Sequence, residues 1–164
     1  MKQKPVYLLI ALLTVFGGCK NGADSIPELS TLIFKALQTQ DQKLFAKASP
    51  TTAEMEKAFE DHLPHSSTDK KIRKQEAINK AASVKLTLNQ AFANISSDAE
   101  SRKLEWKKTV ILDMKYTLHD HKEDYKDASV RMILETNNVK NVIVYHAYLF
   151  GSHWYLMDGL GWEE

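Results

Sequence analysis

His146 has the strongest case for acid–base chemistry in this sequence, because it interrupts an otherwise apolar, strand-like segment at residues 142 to 150. An imidazole titrates near neutral pH, and a neighbouring carboxylate can orient it as a general base. The expected strand alternation puts His146 on one sheet face with Asp113, Arg131 and Tyr155. A hydrolase or isomerase would use His146 as the base and Asp113 as its carboxylate. The alternative is a structural histidine held by a hydrogen bond.

His119 and His121 have the spacing of a metal site. Residues two apart on an extended strand project to the same side, so both imidazoles could reach a zinc ion. A third ligand would have to come from elsewhere, such as His62 or His65, and nothing in the sequence sets their distance. The alternative is a solvated polar loop over residues 119 to 124, which we favour. We therefore expect no metal and no other cofactor.

Aromatic residues near the C-terminus, Tyr148 and Tyr155 among them, could bind a sugar, a peptide or a lipid by stacking. The alternative, which we favour, is that they are core and interface residues. Together with Arg131 and His146 they form the ligand-binding set that the sequence suggests. The sequence has no Gly-rich phosphate loop, no Gly-x-Ser-x-Gly elbow and no repeated unit, so none of these motifs assigns an activity.

Cys19 is the only cysteine, and it follows a segment with the three parts of a secretory signal. Lys2 and Lys4 form the basic part, residues 6 to 16 form an apolar run, and two glycines precede the cysteine. A membrane-spanning helix needs about 20 apolar residues, so this run is too short to be a stable anchor by itself. One cysteine also excludes an intramolecular disulfide, and the domain must be stable through its core alone.

The tetrapeptide Phe16-Gly17-Gly18-Cys19 resembles the lipobox of bacterial lipoproteins, with phenylalanine where leucine is commonest. The resemblance implies that residues 1 to 18 are a signal peptide and that Cys19 is acylated after its removal. Several acyl chains on one residue give stable anchoring, since each buried CH₂ adds about 0.8 kcal/mol. The alternative is plain secretion with a free thiol near the new terminus.

The same resemblance implies a place in the cell envelope, with the membrane as a partner through the N-terminal lipid. Lys20 stands where an aspartate tends to retain lipoproteins at the inner membrane, so the outer membrane is favoured. Residues 19 to 24 would then be a short lipidated tether. Residues 25 to 164 would form one domain.

Helical spacing and capping residues predict helices in the first half of the mature chain. Ser25 with Glu28, and Thr51 with Glu54, have the spacing of capping boxes ahead of apolar stripes. The polar residues 66 to 69 offer caps for a longer helix. Its apolar positions recur mostly at three and four: Ile72, Ile78, Ala81, Val84, Leu88, Phe92 and Ile95.

From Trp106 onward apolar and polar residues alternate, which predicts half-buried strands. Asn137-Asn138 and Gly151-Ser152 predict tight hairpins, so that four strands form an antiparallel meander. The first strand is expected to turn one set of residues to the core: Val110, Leu112, Met114, Tyr116 and Leu118.

Two-residue turns also fix the register, because directly opposed residues share a sheet face. The expected core pairs are Met132 with Ile143, Val130 with Tyr145, Leu149 with Trp154, and Ala147 with Leu156. The reverse, outer face is then unusually apolar, with Val142, Val144, Tyr148, Phe150, Tyr155 and Met157. Such a patch marks a partner surface, a ligand groove or a face covered by other elements.

Helices followed by a curved sheet that ends in a Trp-Tyr-Leu-Met-Asp strand, residues 154 to 158, resemble small lipoproteins with cystatin-like or nuclear-transport-factor-2-like (NTF2-like) domains. The resemblance is one of layout and covers residues 25 to 162. It implies an α+β fold with N-terminal helices packed on one face of a four-stranded antiparallel meander. In the enzyme branch of the NTF2-like fold, acid and base groups line a pocket between sheet and helices.

Composition supports an ordinary globular domain: 43% of the 164 residues are hydrophobic and 26% are charged. The net charge of +1 lacks the basic excess of a nucleic-acid-binding face, so we expect no nucleic-acid partner. The leading hypothesis is a non-enzymatic envelope lipoprotein that presents the outer sheet face, or the cleft between sheet and helices, to a protein or small ligand. The alternatives are a small NTF2-like enzyme and a homodimer formed through the outer face.

Overall fold

The computed structural model describes residues 21–61, 67–121 and 125–164, without the side chains at positions 59, 61, 120, 121 and 125. Cys19, His62, His65, the predicted signal peptide and the side chain of His121 therefore lie outside the described residues. Within them, helices precede an antiparallel sheet: α1 (Ile26–Thr39), α2 (Gln42–Ala46), α3 (Thr52–Asp61), α4 (Lys70–Asp98), β1 (Val110–His121), β2 (Tyr125–Thr136), β3 (Val139–Phe150) and β4 (His153–Trp162). The predicted α+β fold, with helices packed on a four-stranded meander, is confirmed.

The helices begin at the predicted caps. Ser25 Oγ accepts a hydrogen bond from the Glu28 N–H at 3.3 Å. At α3 the box is reciprocal, since Thr51 Oγ1 accepts from the Glu54 N–H and Glu54 accepts from the Thr51 N–H. Asp69 caps α4 by accepting from the backbone at positions 71 and 72. These bonds satisfy N–H groups that have no partner inside the helix.

Both predicted hairpins are present. Asn137 and Asn138 have φ angles of 50° and 65°, as a type I′ turn requires, and Gly151 has φ 60°. The strands pair in the order β1-β2-β3-β4. The four predicted core pairs are confirmed: Met132 with Ile143, Val130 with Tyr145, Leu149 with Trp154, and Ala147 with Leu156.

A β-bulge in β1 overturns part of the predicted core face. The register shifts between Ile111 and Asp113, and Val110 pairs with Glu135 on the outer side of the sheet. Val110 and Leu112 are 55% and 48% exposed, so their predicted burial is wrong. A bulge adds one residue without a partner, and this reverses the alternation of the side chains beyond it.

β4 contains further irregularities opposite β3, between Val144 and Ala147. Met157 is only 4% exposed and belongs to the buried core cluster, so it does not contribute to the exposed apolar patch that the sequence predicted. The register slips because β4 uses more residues than β3 over this stretch. Gly159, with φ +67°, lies within it.

The core lies between the sheet and the helices. Tyr145, Ile143 and Leu156 on the sheet are at most 1% exposed. Tyr145 Oη lies 2.5 Å from Ser30 Oγ on α1, which gives the one polar atom of this buried ring a partner. Burial of each such large side chain contributes about 1.5–3 kcal/mol.

β1 runs further than predicted. It continues to His121, and β2 already begins at Tyr125. His119 is therefore part of a strand, and the predicted polar loop from 119 to 124 is wrong at its start.

Candidate functional site

His146 lies on the outer face of the sheet, opposite to the core, and forms a pair with Asp158 of β4. The distance from His146 Nδ1 to Asp158 Oδ1 is 2.8 Å, and the two side chains are 49% and 50% exposed. Gly159 lies beside the His146 ring and has φ +67°, a backbone conformation that favours glycine. The structure therefore shows a carboxylate-oriented histidine on an open surface.

Asp113, the predicted partner of His146, lies elsewhere. It is on β1, where it pairs with Ile133, and β2 separates β1 from β3. Its carboxylate accepts a hydrogen bond from the Met114 backbone N–H at 2.7 Å. The predicted pairing of His146 with Asp113 is replaced by that with Asp158.

Sequence reasoning missed Asp158 because of the irregularities in β4. The hairpin register alone opposes Asp158 to Tyr145, whose side chain points to the core. The observed register opposes Asp158 to His146 instead. The usable signal was Gly159, since a glycine inside a strand often marks a bulge.

Arg131 is engaged by its own chain. Its Nε donates to Glu163 Oε1 at 2.7 Å, and its Nη2 contacts the second carboxylate oxygen. The hydrogen bond to Arg131 lowers the pKa of Glu163, and the same bond raises the pKa of Arg131. A ligand that used Arg131 would have to displace Glu163.

The predicted aromatic patch is largely covered. Tyr155 is 3% exposed, and its hydroxyl donates to Glu54 Oε1 on α3 at 2.8 Å. Burial, and next the hydrogen bond to Glu54, raise the pKa of Tyr155. Phe150 is buried against Tyr155 with ring centroids 5.7 Å apart, and the partly buried Tyr148 lies next to Phe150. Of the predicted ligand-binding set, Tyr155 is therefore buried and Tyr148 is partly buried, whereas the side chains of Arg131 and His146 are about half exposed.

His119 Nε2 lies 3.2 Å from Ser129 Oγ on the neighbouring strand. Across the described stretches, no group of three or more His, Cys, Asp or Glu side chains comes together as metal ligands. Ser129 also stands directly opposite His146 in the sheet.

Exposed apolar side chains of the sheet concentrate on β1 rather than on the outer face of β3. Tyr116 and Leu118 are 48% and 57% exposed, although they share the sheet side of the buried Val130. Helix α1 covers this side only as far as Met114, whose sulfur lies 3.1 Å from Ser30 Oγ. The apolar strip along β1 is a surface that the sequence pattern assigned to the core.

The turn at Asn137-Asn138 determines where the backbone groups of β1 point. A type I′ turn makes Thr136 and Val139 a hydrogen-bonded pair, and bonded and non-bonded pairs then alternate along the ladder. On β2, even-numbered residues therefore bond to β3, and odd-numbered residues bond to β1.

It follows that Met114, Tyr116 and Leu118 direct their backbone N–H and C=O groups away from β2, because they oppose even-numbered residues. The bond from the Met114 N–H to the Asp113 carboxylate agrees with this assignment. β1 is the first strand in the sheet order, so these groups lie along an edge. We call this surface, residues 113 to 119, the open edge.

The opposite edge, β4, is covered. Ala23 and Trp154 exchange two backbone hydrogen bonds, at 2.9 and 2.7 Å, and the Leu156 N–H donates to Ala48 O at 2.7 Å. Residues 21 to 24 are thus packed on the domain, whereas the lipobox resemblance implied a tether from 19 to 24. Gly22, with φ +81°, lets the chain turn onto the sheet.

No protein-family model, no curated protein sequence and no solved structure gives a significant match. The helices within the described ranges are too short or too polar to cross a bilayer.

Proposed function

We propose that this chain is a non-enzymatic binding module of the bacterial cell envelope, anchored by a lipid on Cys19, that binds an extended segment of a partner protein along the open edge. The observation that carries the binding proposal is the row of outward backbone groups at Met114, Tyr116 and Leu118, flanked by exposed apolar side chains. The lipobox-like residues support the anchor, and Lys20 favours the outer membrane.

Strand addition is the binding mode that suits such an edge. An incoming strand satisfies the free N–H and C=O groups with main-chain hydrogen bonds. Its side chains point alternately to the two faces of the sheet, and their contacts there give specificity. A long edge with exposed apolar residues is otherwise an aggregation hazard. Binding of a dedicated partner would turn this hazard into a function.

The side chains of the open edge indicate the chemistry of the partner. Tyr116 and Leu118 would pack against apolar residues at alternate positions of the bound strand. The remaining positions would face Asp113, Lys115 and His119, so acidic residues fit opposite Lys115 and His119 and a basic residue fits opposite Asp113. The expected partner is an extended segment with alternating apolar and charged residues.

Metabolic labelling with palmitate tests the anchor. We expect label on the native protein and none on Cys19→Ala, which should be recovered from the soluble fraction. An unlabelled native protein would refute the anchor and leave the binding proposal standing.

A designed peptide tests the binding mode. The peptide Glu-Val-Thr-Ile-Glu-Val-Lys, paired antiparallel from position 119 to 113, places its charges opposite complementary ones. The control peptide Lys-Val-Thr-Ile-Lys-Val-Glu has the same length and apolar residues with the charges reversed. We expect the first to bind more tightly, and Leu118→Pro to abolish its binding by removing an outward N–H. Equal binding of both peptides, or unchanged binding to Leu118→Pro, would contradict the proposal.

Sedimentation of the peptide-free protein separates a hetero-partner from a second copy. We expect the mass of a monomer. A species of twice that mass that Leu118→Pro dissociates would show that the open edge pairs with itself.

The His146–Asp158 pair favours a second candidate, a small hydrolase or isomerase of the NTF2-like type. The carboxylate at 2.8 Å would hold the imidazole as a base, with Ser129 opposite it on β2. Turnover of a panel of ester and enol substrates, lost in both His146→Ala and Asp158→Asn, would support this candidate over the binding module.

A further inference from the structure

The described chain is attached to the domain from its first residues. Asn21 Nδ2 donates to Ser49 O at 3.1 Å, and the Gly22 N–H donates to Lys47 O at 2.7 Å. The next residue, Ala23, forms the two-bond bridge to Trp154 and is 9% exposed. These contacts tie positions 21 to 23 both to β4 and to the turn after α2.

The ring of Tyr155 packs against Gly22 and supports this attachment. A Cβ on Gly22 would lie 2.6 Å from Tyr155 Cε1, so glycine is the residue that allows such close contact. Tyr155 is itself held by its hydrogen bond to Glu54. Asp24 Oδ1 adds a contact of 3.2 Å to His153 Nε2. The attachment point is therefore a rigid part of the domain.

The stretch of chain from the acylation site, Cys19, to this rigid point at Asn21 is very short, and we call it the leash. Only Lys20 lies between Cys19 and Asn21. The two residue steps from Cys19 to Asn21 span at most about 7 Å when the chain is extended. We propose, on the basis of the acylation argued above, that the lipid holds the domain flush on the bilayer, with the surface around Asn21 in contact with phospholipid headgroups.

The surface around Asn21 has the chemistry of a headgroup contact. A shallow groove of about 390 Å³ opens beside Asn21, between α4 and the turn at Ser49 and Pro50. Hydroxyl, amide and methyl groups line it together with Lys85, and none of its described lining residues is acidic. Lys47, next to the leash, is exposed. Ammonium and hydroxyl groups suit the phosphates of headgroups.

The flush orientation determines whether the open edge faces the bilayer or the solvent. The leash reaches the domain at β4, and β1 lies three strand spacings, about 14 Å, across the sheet. A domain held flush by the β4 side therefore carries the open edge on its far side, where a soluble partner segment can reach it.

Fluorescence quenching tests this orientation. Acylation blocks Cys19, so an engineered cysteine is the only free thiol for a fluorophore. The label is placed in the groove with Lys85→Cys, or with the nearby exposed Ala82→Cys, and on the open edge with Leu118→Cys. The acylated proteins are reconstituted in vesicles of phosphatidylethanolamine and phosphatidylglycerol that carry nitroxide headgroups. We expect severalfold stronger quenching at positions 85 and 82 than at 118.

A lengthened leash is the matched control. Insertion of about 20 Gly and Ser residues between Lys20 and Asn21 gives a coil of about 25 Å, which should reduce the quenching at 85 to the level at 118. Equal quenching at the two sites with the native leash, or quenching at 85 that the insertion leaves unchanged, would overturn the flush orientation. Absence of the acyl group in palmitate labelling would instead overturn the proposed anchor, so the two failures are distinguishable.

Discussion

The two edges of the sheet differ in whether their backbone groups have partners within the domain. At β4, Ala23 and Ala48 supply backbone partners, so the edge ends inside the domain. At β1, three outward N–H groups lie beside side chains that are about half exposed. The contrast shows that this fold can close a sheet edge with only a few residues and that it does so on one side alone.

The residues that close β4 are small. Gly22 passes directly over the ring of Tyr155, and Ala23 and Ala48 bring their backbones within hydrogen-bonding distance of the strand. The open edge instead has Asp113 and Lys115, charged residues of the kind that protect an edge from unspecific pairing. One edge is thus paired within the domain, and the other is the edge for which we propose a partner strand.

Proline substitutions should give the largest difference between inward and outward positions of β1. Thr117→Pro removes an N–H that bonds to β2, and we expect it to lower the unfolding free energy by about 3 kcal/mol. Leu118→Pro removes an outward N–H and should cost about 1 kcal/mol. Urea unfolding of both variants measures this, and equal losses would contradict the assignment of the open edge.

Gly22→Ala should loosen the covered edge. The new Cβ would meet the Tyr155 ring at 2.6 Å, and φ is +81°. We expect the attachment to weaken by about 2 kcal/mol, seen as roughly thirtyfold faster hydrogen exchange at the Ala23 and Trp154 amides. Gly151→Ala is the matched control, because it also has positive φ but open space around its Cβ. Exchange at residue 154 should be unaffected by the control.

Alkaline unfolding should report on the buried tyrosines. Burial is the main cause that raises the pKa of Tyr145 and of Tyr155 above the ordinary value of 10.0. The unfolded chain loses these protons first, so the stability present below pH 10 is lost as pH rises above it, by up to about 1.4 kcal/mol per pH unit and tyrosine. Urea unfolding between pH 8 and 11 measures the slope.

The tyrosine variants sharpen that measurement. Tyr155→Phe and Tyr145→Phe should each make the slope above pH 10 shallower. A slope insensitive to both variants would show that other groups govern alkaline unfolding.

Asp24→Ala should have the smallest effect. The contact with His153 is at the surface, with the Asp24 side chain 81% exposed, and surface pairs contribute only a few tenths of a kcal/mol. Ala23 and Trp154 should keep their slow exchange in this variant. Fast exchange there would mean that the contact between Asp24 and His153, rather than the backbone bridge, holds the covered edge.

The sequence predicted the fold well wherever local rules decide it. Capping residues located the starts of α1 and α3, and the positive-φ pair at Asn137-Asn138 gave a turn from which the β2–β3 register followed. Such features depend on neighbours in the chain, so they can be read from spacing alone.

The site was harder to predict, because it depends on irregularities and on distant contacts. The irregularities in β4 place Asp158 opposite His146, whereas Asp113 lies two strands away, on β1. The burial of Tyr155 depends on Glu54, 101 residues away in sequence. No periodic pattern encodes these contacts.

The hydrogen bond within the open edge, from the Met114 N–H to Asp113, has a kinetic consequence. The donor at Met114 is already occupied, whereas those at Tyr116 and Leu118 are free of this competition. An incoming strand would therefore form its first hydrogen bonds near Leu118 and extend the pairing toward Met114. At Met114 it would have to displace the Asp113 carboxylate from the backbone N–H, and this step would come last. By the same competition, the Asp113 carboxylate would oppose indefinite stacking of identical strands into fibrils.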